Sequence, residues 1–420
     1  MMNQPTEGVG LEARLLRVFL SQGSFAERRL WPAADARHRM LATDIDVLVS
    51  EYGSGFDLTR RHVECKGGKS RLLDRILWLS GVRTLLEAET SYLVLPTIDY
   101  DASRFAWGLN VQLMGAKQLT EWETSLKIPA GRWPCRSDFR TFETARSRWH
   151  KATRQRDADE VWRLLSEILA FVEVDSWLEF QYRLLNRLLR YLATLGEKFG
   201  NLDDDAEKAL LCRYCASALL VRLAQYLLAI CLDVTPVAGS ELKNYVTERL
   251  TFGDQNPRYV QSIVRDTVRW VKQALAEKRV ELPAAVDTNR LFEPPPYVDE
   301  FVELVHQLVS RSDEASCLPI ALEVTQFDNL RELGDFPRLS AAAAKGDALA
   351  ALVKGFVIRN APVPRGLLEG IAEETRASNH SPNPLYKSRA NSRTSPAFLD
   401  PEVGQAAFTS VENLLRAEKD

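Results

Sequence analysis

Two short runs of strand-forming residues, separated by a glycine-rich turn, constrain the fold of this chain more than any other feature. The runs are residues 44–49 (DIDVLV) and 62–66 (HVECK). Because side chains alternate across a strand, Asp44 and Asp46 share one face of the first run, and Glu64 and Lys66 share one face of the second. If the runs pair as a hairpin, two or three carboxylates and one ammonium group converge on a single patch.

This acidic patch predicts a site for a divalent cation. Neighbouring carboxylates repel one another and destabilise a fold, and a bound cation is the usual compensation. A Glu-x-Lys triplet by itself carries little information, because the chain contains a second one, Glu241-Leu242-Lys243. That second triplet lies in a helical pattern with no acidic strand before it, so we assign it no role.

The order of predicted elements indicates an α/β fold for residues 1–130, with a sheet between helices. The elements predicted around the two runs are helix 11–20, helix 70–88, strand 92–96, helix 103–108, strand 111–114 and helix 117–126. The helix over 70–88 is strongly amphipathic. Its predicted apolar face consists of Leu72, Leu73, Ile76, Leu77, Leu79 and Val82.

The rest of the chain is predicted to be mostly helical. Residues 131–290 form an all-α domain in this interpretation, and the proline-rich segment 292–297 ends it. Residues 297–375 are mostly helical, although 319–327 and 355–363 are also compatible with strands. Residues 376–420 are predicted to be a flexible tail with a short terminal helix. The longest apolar stretch, Ala216–Val234, contains Arg222 and Gln225, so we expect a buried helix rather than a membrane span.

Composition limits the classes of function. The net charge of −3 excludes a generally basic protein, so any contact with nucleic acid must come from a local patch. Six scattered cysteines and the lack of a secretory signal pattern favour a cytoplasmic location, without membrane contact. Cys212 and Cys215 have no second Cys or His pair at zinc-finger spacing, so no structural zinc is predicted.

The first 126 residues resemble the PD-(D/E)xK nuclease superfamily, especially its Mrr-like and Holliday-junction-resolvase branches. The resemblance lies in a helix with Glu12, a strand with Asp46, a strand with Glu64 and Lys66, and then a helix and an apolar strand. It implies a restriction-endonuclease-like αβββαβ core for these residues and says nothing about the mostly helical region that follows. The proline that names the motif is absent, since Ile45 precedes Asp46.

The resemblance also implies roles for these residues. Asp46, Glu64 and Glu12 would bind Mg²⁺, for which Mn²⁺ could substitute, and Lys66 would be the catalytic lysine. Asp44 is an alternative ligand on the same strand face as Asp46. The backbone carbonyl of Cys65 could donate a further oxygen.

Two groups of basic residues are candidates for DNA contact. Lys69 and Arg71 follow the site directly, and Gly67-Gly68 allows close approach of a backbone. The segment 132–156 is the most basic stretch, with aromatic residues interleaved among its charges. Its DNA-binding candidates are Arg132, Arg136, Arg148 and Lys151. A solvated helix face whose aromatics pack on the nuclease domain explains this segment equally well.

Three functions follow as hypotheses. The first is a Mg²⁺-dependent DNA endonuclease, placed in bacterial restriction or anti-phage defence by analogy. The second is a repair or recombination nuclease that cuts branched DNA, and the third is a non-catalytic nuclease-fold scaffold that binds a protein partner. The sequence has no Walker A pattern, so a partner protein would supply any ATPase or target recognition. Cutting both strands of a duplex favours a homo-oligomer.

Overall fold

The computed structural model describes residues 7–32, 43–66, 71–98, 100–128, 159–175, 181–202, 206–237, 239–253, 255–277, 292–327 and 336–368. These ranges exclude the predicted tail at 376–420. They also exclude the basic segment 132–156 and the predicted domain boundary near residue 131.

A mixed sheet forms the centre of the N-terminal part. Its strands are β1 (Phe25–Pro32), β2 (Ile45–Tyr52), β3 (Leu58–Cys65), β4 (Thr90–Leu95) and β5 (Val111–Gly115), with the two-residue β6 (Val174–Asp175). The strand order is β5-β4-β3-β2-β1-β6. Strands β1, β2 and β3 are antiparallel neighbours, whereas β4 is parallel to β3, and β5 is parallel to β4. The strands and the turn at Gly53–Gly55 match the hairpin predicted from the sequence.

Helices cover both faces of this sheet. They are α1 (Glu7–Ser21), α2 (Leu72–Leu85), α3 (Tyr100–Trp107) and α4 (Ala116–Ser125). Helices α1 and α4 pack against Val47, Val63 and Cys65 on one face. Helices α2 and α3 pack against Leu93 and Leu95 on the other. The prediction of a sheet between helices is therefore confirmed.

Two details of the N-terminal prediction are wrong. Reading the residues alone missed β1, because Glu27, Arg28 and Arg29 interrupt any alternating apolar pattern in it. The apolar face of α2 is also narrower than predicted, since Leu73 and Leu77 are 55% and 54% exposed. These two leucines lie on the side of the helix that faces away from the sheet.

The remaining described residues are almost entirely helical, as predicted. The helices are α5 (Glu160–Glu173), α6 (Gln181–Phe199), α7 (Ala206–Val234), α8 (Leu242–Phe252), α9 (Pro257–Glu277), α10 (Val298–Ser310), α11 (Ser312–Ala315), α12 (Leu318–Phe327), α13 (Pro337–Asn360) and α14 (Arg365–Leu368). The two segments left open as strands lie in α12 and at the end of α13. Both are therefore helical up to Asn360.

Helix α7 is long and largely buried. Its segment Leu211–Val234 is long and apolar enough, by composition alone, to cross a membrane, and 78% of the most apolar window is buried inside the protein. Arg222 of α7 forms an ion pair with Glu27 of β1 at 3.3 Å and donates a 2.5 Å hydrogen bond to the carbonyl of Val172. Gln225 contacts the same Glu27 carboxylate at 2.8 Å. These polar contacts connect the sheet to the helical region.

The chain divides into two compact units. One contains Met1–Val246 and Tyr297–Glu374, and the other contains Thr247–Pro296 and Thr375–Asp420. The first unit includes both the sheet and most of the helices. The predicted boundaries near residues 131 and 376 lie outside the described residues, whereas the proline-rich segment 292–297 lies within them. The division into the predicted domains stays a prediction.

Candidate active site

Asp46 lies where the pairing of β2 with β3 ends. The last paired residues in the ladder are Val47 and Val63, and continuing the register by one residue sets Asp46 opposite Glu64. Residues directly opposite on antiparallel strands have Cβ atoms about 5 Å apart. The backbone N–H of Cys65 donates a 2.6 Å hydrogen bond to Oδ2 of Asp46. The Asp46 carboxylate thus replaces the next backbone acceptor of the ladder.

Several of the predicted site residues lie close enough to Asp46 to affect its pKa. Burial raises the pKa of Asp46 to about 6, and the hydrogen bond from Cys65 opposes this increase. The charges of Glu12 and Asp44 raise the pKa further, whereas Lys66 lowers it. A carboxyl group with a raised pKa near opposite and like charges is typical of a functional site.

Glu64 is the most buried acid of the site. Its side chain is 1% exposed, and Oε1 accepts from both Nζ of Lys66, at 2.6 Å, and the guanidinium of Arg75. Its other oxygen, Oε2, is buried and accepts no hydrogen bond from any residue that the structure describes. A buried carboxylate oxygen without a donor is costly unless another group binds it.

Glu12, predicted as a metal ligand, is held by arginines of β1. Its Oε2 accepts a 2.5 Å hydrogen bond from Arg28, and Arg29 approaches the same oxygen at 3.7 Å. Helix α1 thus brings Glu12 within electrostatic range of Asp46, as the family resemblance implies, but its charge is balanced by protein cations. Nothing in the sequence pattern indicated this pairing, because β1 itself was not recognised.

Sequence reasoning missed three residues beside Glu64, on the face of the sheet covered by α2. Arg75 contacts the Glu64 carboxylate, and its guanidinium lies 3.7 Å from the ring centroid of Trp78. His62 is fully buried, with Nδ1 3.4 Å from Oγ of Ser91. Burial and the positive charge of Arg75 lower the pKa of His62 to about 3, so the ring stays neutral. The available signal was the spacing of Arg75 and Trp78, which sets both on one helix face.

The other predicted residues have different positions. Asp44 is exposed, just before β2, and its charge acts on both Asp46 and Arg75. Burial, Asp46 and Glu12 raise the pKa of the Cys65 thiol well above its usual value, so this side chain stays neutral. The side chain of Arg71 is 92% exposed, 4.0 Å from Asp74. Among the DNA-binding candidates, Lys69, Arg132, Arg136, Arg148 and Lys151 lie outside the described residues.

The chemistry of the donor atoms fits Mg²⁺ or Mn²⁺. Carboxylate oxygens of Asp46 and Glu64 are hard ligands, and Oε2 of Glu64 has no hydrogen-bond donor among the described residues. Within the described ranges, however, no group of three or more His, Cys, Asp or Glu residues is arranged to hold a metal ion. Mg²⁺ sites commonly use one or two carboxylates and retain several waters. The residues present therefore fit a water-rich site with two protein carboxylates better than a closed cage.

A separate cavity lies elsewhere on the sheet, against β4, β5 and α4. Its lining residues are Tyr92, Gln112, Leu113, Met114, Gln118 and Trp122. None of the acidic site residues lines this cavity. We therefore treat the patch around Asp46 and Glu64, and not this cavity, as the candidate active site.

Comparison of the chain with protein-family models, with curated proteins and with solved structures finds no match.

Proposed function

We propose that this protein is a divalent-cation-dependent nuclease of the PD-(D/E)xK type that hydrolyses phosphodiester bonds in DNA. The main support is the arrangement of Asp46, Glu64 and Lys66 at neighbouring strand ends. Glu64 is buried, contacts Lys66 at 2.6 Å, and has one oxygen with no donor among the described residues. The order helix, three antiparallel strands, helix and parallel strand also agrees with the αβββαβ core that the resemblance implies.

In this proposal, carboxylate oxygens of Asp46 and Glu64 hold the cation. A bound Mg²⁺ ion would supply an activated water and neutralise charge on the scissile phosphate. The side chain of Lys66 is 38% exposed, so its ammonium group can contact both Glu64 and a phosphate at the surface. Its positive charge stabilises the negative charge that develops on the phosphate oxygens during attack. Glu64 keeps the ammonium near that position.

A second candidate is a nuclease-fold scaffold that binds a protein partner without cutting DNA. The ion pairs of Glu12 with Arg28, and of Glu64 with Lys66 and Arg75, favour it, because they balance the acids without a metal. A scaffold of this kind needs no divalent cation. The two candidates therefore differ in whether a metal binds at Glu64.

The test combines metal binding with cleavage. Calorimetric titration of the purified protein with Mn²⁺ is compared with that of Glu64→Ala and of Glu241→Ala, the exposed acid of the second Glu-x-Lys triplet. We expect Mn²⁺ binding that is weakened in Glu64→Ala and unchanged in Glu241→Ala. If wild type and Glu64→Ala bind Mn²⁺ equally, the nuclease proposal is wrong and the scaffold is favoured.

Cleavage assays with Mg²⁺ then separate the possible DNA substrates. Linear, modified and branched duplexes are offered to wild type and to Glu64→Ala. Preference for linear or modified duplexes supports a role in restriction or anti-phage defence. Preference for branched duplexes supports repair or recombination. The oligomeric state during cleavage tests whether two copies act together on the two strands.

A further inference from the structure

Two cations share one oxygen of Glu64 and leave the other oxygen open. Lys66 Nζ lies 2.6 Å from Oε1, and the guanidinium of Arg75 contacts the same atom. Oε2 is buried and has no hydrogen-bond donor among the described residues. Lys66 and Arg75 therefore fix the orientation of the carboxylate through Oε1, and Oε2 can bind a further group.

Arg75 is itself held in place more firmly than Lys66. It lies on α2, and its guanidinium stacks over Trp78, one turn further along the helix, at 3.7 Å from the ring centroid. Trp78 packs in turn against the buried His62 ring, with centroids 6.4 Å apart. The side chain of Arg75 is 24% exposed, whereas that of Lys66 is 38% exposed. A planar guanidinium on an aromatic ring loses less freedom per contact than a lysine ammonium does.

The acids around Arg75 also attract it towards the site. Burial lowers the pKa of Arg75, and the charges of Asp46 and Asp44 act in the opposite direction. Arg75 thus lies within electrostatic range of two acids and in direct contact with a third. Nε of Arg75 is buried and has no acceptor among the described residues.

We infer that Arg75 is a positioning residue for the divalent cation. By holding Oε1 of Glu64 against the Trp78-supported guanidinium, it presents Oε2 to the metal. This inference rests on the proposed nuclease function. Lys66 is then available to contact the phosphate as well, because Arg75 also keeps the Glu64 side chain in orientation. Groups that orient a ligand in this way typically change metal affinity by about 10- to 100-fold.

The direction of the effect distinguishes positioning from simple charge balance. Removing a positive charge near a cation site should tighten cation binding, because it removes electrostatic repulsion. Loss of the anchor for Glu64 should weaken cation binding, because the carboxylate must then be ordered by the metal itself. A weaker affinity in Arg75→Ala therefore reports the lost anchor, and not the lost charge.

The experiment is a double-mutant cycle measured by calorimetric titration with Mn²⁺. The proteins are wild type, Arg75→Ala, Glu64→Ala and the double variant, with Arg163→Ala as a control that removes an exposed arginine of α5. We expect Arg75→Ala to weaken Mn²⁺ binding by about tenfold. In the Glu64→Ala background the same substitution should change the affinity by less than about twofold, since sites that act through one group are not additive.

Further variants guard against misfolding and against a purely structural role. Circular dichroism shows whether each variant is folded, and Arg75→Lys, which keeps the charge, should bind Mn²⁺ with an affinity between those of wild type and Arg75→Ala. In cleavage assays, excess Mn²⁺ should restore the rate of the Arg75 variants but not that of Glu64→Ala.

Two results would overturn the inference while leaving the nuclease proposal intact. One is Mn²⁺ binding in Arg75→Ala, or in Arg75→Lys if the alanine variant does not fold, that is as tight as in wild type or tighter. The other is a loss of equal size in the presence and absence of Glu64. Mn²⁺ binding by wild type that does not depend on Glu64 would instead refute the proposed function, and the inference with it.

Discussion

The backbone N–H of Cys65 donates a 2.6 Å hydrogen bond to Oδ2 of Asp46 at the end of the β2–β3 ladder. This contact orients the Asp46 carboxylate through the backbone of the neighbouring strand. Its orientation therefore does not depend on the side chains of Lys66 or Arg75. The same position buries the carboxylate, which explains why its pKa is raised even though it accepts a hydrogen bond.

Asp46→Asn should stabilise the metal-free protein at neutral pH. The pKa of Asp46 is raised from 3.8 to about 6, so the folded state binds a proton more tightly than the unfolded state. As pH rises between these values, the wild type loses stability because the buried carboxyl group ionises. Above pH 6 the whole free-energy cost of the buried charge is present. The asparagine keeps an acceptor for the Cys65 N–H and carries no charge. We expect a gain of about 1–3 kcal/mol in the free energy of unfolding at pH 7.5.

Urea denaturation in the presence of EDTA measures this difference at several pH values. The gain of Asp46→Asn over wild type should grow from pH 4 to pH 7 and then level off. A gain that is constant across this range, or a loss of stability, would contradict the raised pKa.

His62 should make the protein sensitive to acid in the opposite sense. Its pKa is lowered from 6.5 to about 3 by burial and by Arg75, so the unfolded state binds a proton that the folded state excludes. The contribution of neutral His62 to stability is fully present above pH 6.5 and falls as pH decreases towards 3. His62→Asn removes the titrating group while keeping a polar partner for Ser91. Between pH 6.5 and pH 4, this variant should lose less free energy of unfolding than wild type in the same urea series.

Lys66→Ala should reduce the rate of cleavage while leaving the fold intact. Loss of the ammonium group removes the charge that stabilises the scissile phosphate, an effect of about 100-fold or more on kcat. Lys243→Ala is the matched control, because Lys243 belongs to the second Glu-x-Lys triplet and pairs with the exposed Asp299. Single-turnover cleavage with Mg²⁺ measures both variants. An unchanged rate in Lys66→Ala would refute the assigned role.

Arg222→Ala should strongly destabilise the larger compact unit. Arg222 is 4% exposed, and its removal takes away an ion pair with the buried carboxylate of Glu27 and a hydrogen bond to the carbonyl of Val172. Breaking a buried ion pair on one side costs about 3–5 kcal/mol. Arg265→Ala, at an exposed position of α9, should change stability by less than about 0.5 kcal/mol.

Thermal and urea denaturation measure both arginine variants. The double variant Arg222→Ala/Glu27→Gln should lose less stability than the sum of its single variants, because the two side chains share one interaction. Additive losses would mean that Arg222 stabilises the protein through packing and not through Glu27.

Much of the N-terminal architecture could be predicted from local patterns. The alternation of apolar residues in β2 and β3, the Gly-Ser-Gly turn and the helical spacing of α1 and α2 all depend on neighbouring residues in the chain. Strand β1 could not be predicted in this way. Glu27 and Arg28 interrupt its apolar pattern, and their charged partners Arg222 and Glu12 lie on helices outside the strand.

For the candidate site, too, only the part that depends on local sequence could be predicted. Period-two alternation in two adjacent strands was enough to predict that Asp46, Glu64 and Lys66 lie close together, because strand geometry sets which side chains share a face. Only the tertiary structure decided that Arg75 anchors Glu64, that Arg28 neutralises Glu12, and that Leu73 and Leu77 face outwards. Each of these depends on how helices pack across the sheet, and the charge that balances a buried acid comes from whichever element packs against it.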